Sequence, residues 1–484
     1  MAKKNSRITT EKKNGRFYTP IYIVNNILDL SGYVNGDIRK KHVIDNSCGD
    51  GAFLTEIVRR YCDDCDRSGV TKDVTKSELE CFVHGVELDS EEAQKCRNNV
   101  SAIAAEYGIN HVNWDITCEN TLQVKRFDGK MDFVLGNPPY IRVHNLGDTF
   151  DEIKTFSFAQ NGMTDLFIVF YEVGLRMLNK TGVLGYITPS SFFNSLAGNY
   201  MRKQFVDHHY LEKVVDLKHF QAFETTTYTT IVILRNNKDI SDVDYYTFDE
   251  LSLSPKYCAT LTPEDFYIVQ NFYFGTKGQL ELLKKIFFNF GHSDILVKNG
   301  YATLCDDVFI NDFDFESPLI RPVIKASKGI KRQMLYPYDE NAVLISEPEL
   351  EKDTKAYKYL KSCKEKLTKR NNERDADRYW YAFGRSQALL DTYKDKVAIN
   401  TLLRTKSDIK LTPAPAGTGV YSGLYMVSDT TSTKDMKAVL ETDEFVSYIA
   451  LLSKYKSGGY YTFSSKDLKV YLDYKFAYDG GACE

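Results

Sequence analysis

The chain of 484 residues is 43% hydrophobic, 26% charged and 13% aromatic, which excludes a disordered or fibrous protein and allows two or three domains. With 62 Lys and Arg against 66 Asp and Glu, its net charge of −4 lacks the overall basic footprint of a nucleic-acid binder. Ten cysteines at irregular spacing, behind no signal peptide, fit a reducing cytoplasm, and the longest apolar run, Leu166 to Tyr171, is too short to span a bilayer. Cys62 and Cys65 form a CxxC with no second pair, so ordinary thiols are expected there and no metal.

The charge is unevenly placed. Residues 1 to 250 hold 29 basic and 35 acidic side chains, and residues 251 to 484 hold 33 and 31. Lys352 to Lys406 carries 15 Lys or Arg against 7 Asp or Glu, and Arg321, Lys325, Lys328, Lys331 and Arg332 fall in a stretch without any acid. Such runs are solvated faces unless the rest of the chain gives them a partner.

Along the first half, short buried-strand patterns alternate with helical ones. Strands are expected at His42 to Ile44, Phe82 to Val86, Asp132 to Leu135, Val183 to Ile187, Leu211 to Leu217 and Thr229 to Leu234. Helical spacing of apolar residues marks Ala52 to Tyr61, Glu91 to Tyr107 and Asp165 to Leu178. That alternation predicts a doubly wound α/β sheet, whose ligands gather at the carboxyl ends of the strands.

Three strand ends carry chemistry. The first strand runs into Asp45-Asn46-Ser47-Cys48-Gly49-Asp50-Gly51-Ala52-Phe53 and then a helix, where glycines let a ligand lie against bare backbone. The next ends in Gly85-Val86-Glu87-Leu88-Asp89, which offers a carboxylate to a ribose diol or a cap to the following helix. Together these loops point to an adenosine-bearing cofactor. A further strand, Met131 to Leu135, ends in Gly136-Asn137-Pro138-Pro139-Tyr140. Two prolines stiffen this turn and remove two amide donors, which leaves carbonyl acceptors beside the Asn137 amide. Acceptors next to a flat aromatic suit an exocyclic amine on a planar ring, with Tyr140 stacked on it. An amine so held keeps its lone pair for an electrophile, and no metal or covalent nucleophile is needed.

With these residues the sequence resembles S-adenosylmethionine-dependent amino-methyltransferases, specifically the TaqI-like, gamma-class DNA adenine-N6 methyltransferases of type II restriction-modification systems. Gly15-Arg16-Phe17-Tyr18-Thr19-Pro20, the glycine loop, Glu87, Asn137 to Tyr140, Thr164-Asp165-Leu166-Phe167, Gly182 to Pro189 and Thr229 to Leu234 follow the family's order. The resemblance implies a Rossmann-like methyltransferase domain over residues 1–245 and an α+β target-recognition domain over 246–484. It assigns Asn137, Pro138, Pro139 and Tyr140 to catalysis. Cofactor binding falls to Tyr18, Thr19, Pro20, Asp45, Ser47, Cys48, Gly49, Gly51, Phe53, Glu87, Leu88, Asn120 and Thr121. For the cofactor's adenine amine, Asn120 takes the place of the family's usual aspartate, with Asp115 as the competing assignment. The family's second aromatic against the flipped base would fall at Gly198, so Phe192, Phe193 or Tyr200 would have to serve.

The resemblance also implies double-stranded DNA as substrate, a cytosolic bacterial or archaeal setting, and a cognate endonuclease acting on the same site. Methyl transfer would need the adenine flipped out of the duplex. Arg378-Tyr379-Trp380-Tyr381-Ala382-Phe383-Gly384-Arg385 lies in the basic window and is similar to the aromatic, arginine-rich elements of target-recognition domains. Arg374, Arg378 and Arg385 are the candidate contacts to phosphate or guanine edges. An RNA adenine methyltransferase and a catalytically silent DNA-specificity module are the alternatives. With the first motif beginning near Gly15, a bifunctional enzyme with an N-terminal nuclease is not expected.

Overall fold

The structure, a computed structural model, describes residues 18–142, 150–223, 227–236, 239, 241–370 and 379–477. The chain divides into two compact units, Met1–Glu281 and Leu282–Glu484.

In the first unit, short runs, several of them closed by Gly, Asp or Pro, form the strands of one nine-stranded sheet among the described residues. These are β1 (Val43–Asp45), β2 (Val83–Glu87), β3 (Asp115–Cys118), β4 (Met131–Gly136), β5 (Leu178–Pro189), β6 (Leu211–Asp216), β7 (Thr229–Arg235), β8 (Val243–Asp249) and β9 (Ser254–Leu261). Their order is β3-β2-β1-β4-β5-β7-β6-β8-β9. The strands from β3 to β5 are parallel, and β7 runs antiparallel to both β5 and β6. The chain progresses outward from β1 to β3 and then returns to place β4 on the other side of β1. This reversal opens a crevice between the carboxyl ends of β1 and β4.

Helices cover both faces of the sheet, as expected for a doubly wound fold. On one side α1 (Ile21–Ser31), α2 (Ala52–Arg67), α3 (Lys72–Phe82) and α4 (Ser90–Glu106) share a core with Phe133, Leu135, Val183, Ile187, Ile231 and Ile233. Strand alternation sends Leu184 and Tyr186 to the opposite face. There Gly174 of α5 (Leu166–Met177) sits so close that a Cβ would lie 2.4 Å from Leu184 Cδ1 and 2.7 Å from the Tyr186 hydroxyl. Another helix, α6 (Asn199–Asp207), precedes β6.

Three of these helices, α1, α3 and α6, lie outside the expected set. In α1 the buried Ile23, Val24, Ile27, Leu28 and Ser31 fall at helical spacing, and Gly32, with φ 79°, ends it. Only Thr75, Glu78 and Leu79 are buried in α3, so its apolar period is faint. Residue 245 lies inside β8, which pairs with both β6 and β9, and the short hairpin β10 (Tyr267–Ile268) and β11 (Asn271–Phe272) follows. The first unit therefore runs on to Glu281.

The second unit is α+β, with three small sheets. One has the order β12 (Leu296–Asn299), β19 (Leu424–Val427), β15 (Lys396–Ile399), β17 (Leu411–Ala414). The second is β14 (Ile330–Leu335), β13 (Ile320–Lys325), β18 (Gly419–Tyr421), and the third is β16 (Leu402–Leu403), β21 (Tyr460–Thr462), β20 (Tyr455–Lys456). Its main core gathers Tyr301, Phe309, Tyr336, Trp380, Tyr381 and Phe383. Among the described residues no helix is long and apolar enough to cross a membrane.

Candidate active site at the strand ends

The loop after β1 turns on two glycines at positive φ, Gly49 at 51° and Gly51 at 97°. At Gly51 a Cβ would also fall 2.8 Å from Cys96 Sγ of α4, so the close approach of α2 and α4 requires glycine as well. The β4 end is equally tight. A Cβ on Gly136 would lie 2.6 Å from Asp45 Oδ1, which brings the last residue of β4 against the last residue of β1.

Asp45 is 2% exposed, and its Oδ1 accepts the Ser47 N–H at 3.0 Å. Burial pushes its carboxyl up to about 8; the Glu87 and Asp50 charges add to this, while the Ser47 N–H opposes it. The folded chain thus keeps a proton that the unfolded chain releases near pH ~4. That stabilising contribution is complete below about pH 4 and is lost as pH rises toward 8. Asp45→Asn is expected to remove this part of the pH dependence. Melting curves of ligand-free protein should show wild type falling relative to the variant across that window, and parallel profiles would contradict it.

At the end of β2, Glu87 is clamped by two amides. Gly49 N donates to Oε2 at 2.9 Å and Asp89 N to Oε1 at 3.0 Å. The cap of α4 is Asp89, which accepts from Glu91 N and Glu92 N at 2.9 and 3.2 Å. Glu87 is therefore spared the capping role and stands beside the glycine loop. A carboxylate offers about four lone-pair sites, so two remain for a ligand. A glycine turn with a half-occupied carboxylate fits an adenosine-bearing group, with the ribose diol at Glu87.

The other candidate cofactor residues divide by position. Cys48 and Phe53, 4% and 2% exposed, point into the core of the first unit, whereas Leu88 is 72% exposed. Thr121 is buried, and its hydroxyl donates to the Asn46 carbonyl at 2.6 Å, which ties the segment after β3 to the β1 loop. Asn46 had not been singled out. It is fully buried, and its Oδ1 accepts the Tyr186 hydroxyl at 2.9 Å. Asn120 stands two residues past the end of β3, its Oδ1 accepting Leu122 N at 3.1 Å and its Nδ2 donating to Glu152 at 3.3 Å. Asp115 opens β3 at the far end of the strand, where His84 pairs with it at 2.7 Å. Of the two, Asn120 is at the crevice.

The turn after β4 is held from three sides. Asn137 Nδ2 donates to Thr19 Oγ1 at 3.1 Å, Ser47 Oγ donates to the Asn137 carbonyl at 3.4 Å, and the Tyr140 hydroxyl donates to the Ile187 carbonyl of β5 at 3.0 Å. Pro138 is buried, and Asn137, Pro139 and Tyr140 are half-buried. Thr19 is 9% exposed and Pro20 caps α1, while Tyr18 is 59% exposed. Gly15, Arg16 and Phe17 lie outside the described residues. Burial drives the Tyr140 phenol well above its usual range, so it keeps its proton at neutral pH.

Tyr140 meets Phe167 and Phe223 edge to face, with ring centroids 6.4 and 6.2 Å away. Phe223 comes from the loop between β6 and β7, and the sequence reading missed it; an aromatic in a strand-end loop was the available signal. Of the proposed substitutes, Phe192 and Phe193 are 1% exposed in the core, and Tyr200 packs on Phe158 at 6.0 Å. Gly198 has no room for a side chain, since a Cβ would lie 2.6 Å from the Phe192 carbonyl oxygen.

In the second unit, Arg374 and Arg378 lie outside the described residues. Trp380, Tyr381 and Phe383 are 2%, 2% and 5% exposed, so the aromatic element is core rather than a platform for bases. Arg385 is exposed, its backbone bridged to Ala302. Cys62 and Cys65 are buried thiols of α2, and among the described residues no three His, Cys, Asp or Glu side chains gather as a metal site.

Residues 64–223 match the Eco57I restriction-modification methylase family. The chain is 29% identical to the type II methyltransferase M.BstVI of Geobacillus stearothermophilus over 266 residues, 51% of this chain and 46% of that protein. It is 25% identical to the restriction enzyme and methyltransferase RM.Eco57I of Escherichia coli over 59% of this chain and 34% of that one. With M.PaeR7I of Pseudomonas aeruginosa it shares 23% identity over 76% and 70% of the two chains. The chain thus spans less than half the length of the first two. In fold it is similar to the type IIL restriction-modification enzyme MmeI, solved with DNA, at TM-score 0.61 and 13% identity over 91% of this chain and 63% of that one. A nuclease-deletion mutant of the type ISP enzyme LlaGI gives 0.55 at 12% identity over 95% and 46%. These comparisons bear out the resemblance to restriction-modification methylases read from the motifs.

Proposed function

From this similarity of its first half to restriction-modification methylases, we propose that the chain is a DNA methyltransferase that modifies the N6 amine of an adenine flipped from duplex DNA. The observation that carries the reading is the meeting of two loops at one crevice: Asn137 to Tyr140 after β4, and Asp45 to Gly51 after β1 with Glu87 beside it. Asp45, Ser47, Gly49, Gly51, Glu87, Asn120 and Thr121 are the residues that would hold S-adenosylmethionine, which supplies an electrophilic methyl group when bound.

The chain's own work is orientation. The Asn137 Nδ2 to Thr19 bond turns the amide so that its carbonyl serves as acceptor for the base's amine. The Pro138 carbonyl, in a turn stripped of two amide donors, is the second acceptor. Two such bonds hold the amine nitrogen tetrahedral, with its lone pair directed away from the ring, and a fixed acceptor pair needs no reorganisation during transfer. Tyr140, fixed by Ile187, offers the stacking face that offsets part of the cost of flipping. We read the chain as the modification partner of an endonuclease of the same site, working in the cytosol.

The reading is tested on plasmid DNA from a host without methyltransferases, sequenced after expression of this chain or of Asn137→Ala. Modified adenines in one sequence context, absent with the variant, are expected. Unmodified DNA from a soluble, S-adenosylmethionine-binding protein would overturn it in favour of RNA. Tyr140→Ala is expected to raise KM for duplex by roughly 5- to 100-fold, since stacking on a base contributes about 1–3 kcal/mol. Tyr140→Phe, which keeps the ring and loses the bond to Ile187, should stay within a few-fold. Equal KM values for wild type and Tyr140→Ala on duplex would remove Tyr140 from the base pocket.

A further inference from the structure

The segment after β3 is tied to both neighbouring strand ends. Glu119 N donates to the Glu87 carbonyl at 3.0 Å, and the Thr121 hydroxyl donates to the Asn46 carbonyl at 2.6 Å. Asn120, between these tethers, is bracketed by the strand end that carries Glu87 and by the β1 loop. Both ends of its amide are taken. Oδ1 accepts Leu122 N at 3.1 Å, and Nδ2 donates to Glu152 Oε2 at 3.3 Å. Only an oxygen can accept the first bond and only the NH2 can supply the second, so the orientation of the amide is fixed. Its acceptor is turned toward its own backbone, and its donor is covered by Glu152.

Glu152 changes what this edge of the crevice offers. It belongs to the single helical turn Phe150–Ile153, in the connection between the Asn137–Tyr140 turn and α5. The residue is half-buried, and among the described residues its side chain pairs with no cation and bonds only Asn120. A carboxyl group has about four lone-pair sites, of which Asn120 uses one. Polar groups kept from solvent are nearly always satisfied, so open acceptors held beside a ligand crevice suit a donor on the ligand. The exocyclic amine of adenine is such a donor.

Resting on the cofactor named in the proposed function, we propose that Glu152 is the residue that selects the cofactor's adenine, its open oxygen accepting the exocyclic amine while Asn120 braces the carboxyl group from behind. The class selected is a 6-aminopurine. A 6-oxopurine presents a carbonyl oxygen at that place, which would face the Glu152 acceptor with no proton to share. A site built around one hydrogen bond rejects an analogue that cannot make it, because the site's own polar group is left unpaired.

The test reads ligand binding and its selectivity, apart from turnover. Full-length wild type, Glu152→Gln and Asn120→Ala are titrated by calorimetry with S-adenosylhomocysteine, which lacks the transferable methyl group, and with S-inosylhomocysteine. In Glu152→Gln the remaining side-chain oxygen can keep the bond from Asn120 Nδ2, which puts an NH2 where the open acceptor was. The preference for the adenosyl over the inosyl ligand is expected to fall by roughly tenfold to a hundredfold, through weaker adenosyl and stronger inosyl binding. Asn120→Ala keeps the carboxyl group and loses its brace, so it should weaken the adenosyl ligand by no more than about tenfold and retain the preference. Damage to the fold lowers both affinities together and leaves their ratio alone, so the ratio is a reading that a merely structural role does not move. If wild type binds S-adenosylhomocysteine and the ratio is unchanged in Glu152→Gln, this inference is overturned and the proposed function stands; a ratio lost in Asn120→Ala instead assigns the amine to Asn120. A wild type that binds no S-adenosylhomocysteine overturns both.

Discussion

Replacing Asn137 by alanine is expected to lower methyl transfer at least roughly a hundredfold, while S-adenosylmethionine affinity changes less than about threefold. The magnitude is that of removing one preorganised group aimed at the reacting centre. The split follows from where the residue's bonds go. Asn137 Nδ2 meets Thr19 and its backbone carbonyl meets Ser47, whereas the amides that hold Glu87 come from Gly49 and Asp89. Alanine therefore removes an acceptor from the amine and leaves the cofactor cradle in place. Single-turnover transfer on an unmethylated duplex carrying the target site, with cofactor binding by calorimetry, checks both halves. Thr19→Val is the companion variant, since it removes the acceptor that fixes the Asn137 amide. It should lower turnover less than Asn137→Ala, because a rotating amide still presents its carbonyl part of the time. Transfer by Asn137→Ala near the wild-type rate would end the assignment.

How much of this site can be read from the chain depends on the range of each interaction. β1 and β4 are short buried runs ended by residues that forbid a strand, so Val43–Asp45 and Met131–Gly136 emerge from local pattern. Gly49 and Gly51 are legible because both turn at positive φ, and at Gly51 a Cβ would also be crowded. The bonds that assemble these loops are not local: Asn137 reaches Thr19 across 118 residues, and Thr121 reaches Asn46 across 75. No periodicity encodes such pairs. Burial misleads where residue type is ambiguous. Trp380, Tyr381 and Phe383 have the composition of a base-stacking platform and the exposure of a core. Arg202 reverses the error. Its charge reads as surface, yet it is 2% exposed and donates to the carbonyls of Phe192, Ser195 and Gln270. The basic hairpin at Arg321 was visible as an acid-free stretch, but only its register shows that Arg321 and Arg332 share a face with the buried Val323 and Met334.

Glu87→Gln should weaken S-adenosylmethionine binding by roughly 10- to 100-fold, the range for hydrogen bonds to a charged group. Both carboxylate oxygens of Glu87 already accept backbone amides, from Gly49 and from Asp89. A glutamine has one acceptor and one donor, so its NH2 must face one of those N–H groups, and the loop or the α4 start gives way. The ribose diol then loses an anionic acceptor together with the turn that frames it. Asp89→Ala is the contrasting variant: loss of the α4 cap costs stability of about 1 kcal/mol and leaves the Glu87 side chain in place. It should lower the melting temperature without a comparable loss of cofactor affinity. Saturating cofactor distinguishes the two loops as well. Glu87→Gln should regain most of its kcat when cofactor is raised, because the acceptors at Asn137 and Pro138 are untouched, whereas Asn137→Ala should stay slow at any concentration. A Glu87→Gln protein that binds S-adenosylmethionine within about twofold of wild type would show that Glu87 serves the loop alone and that the ribose is held elsewhere.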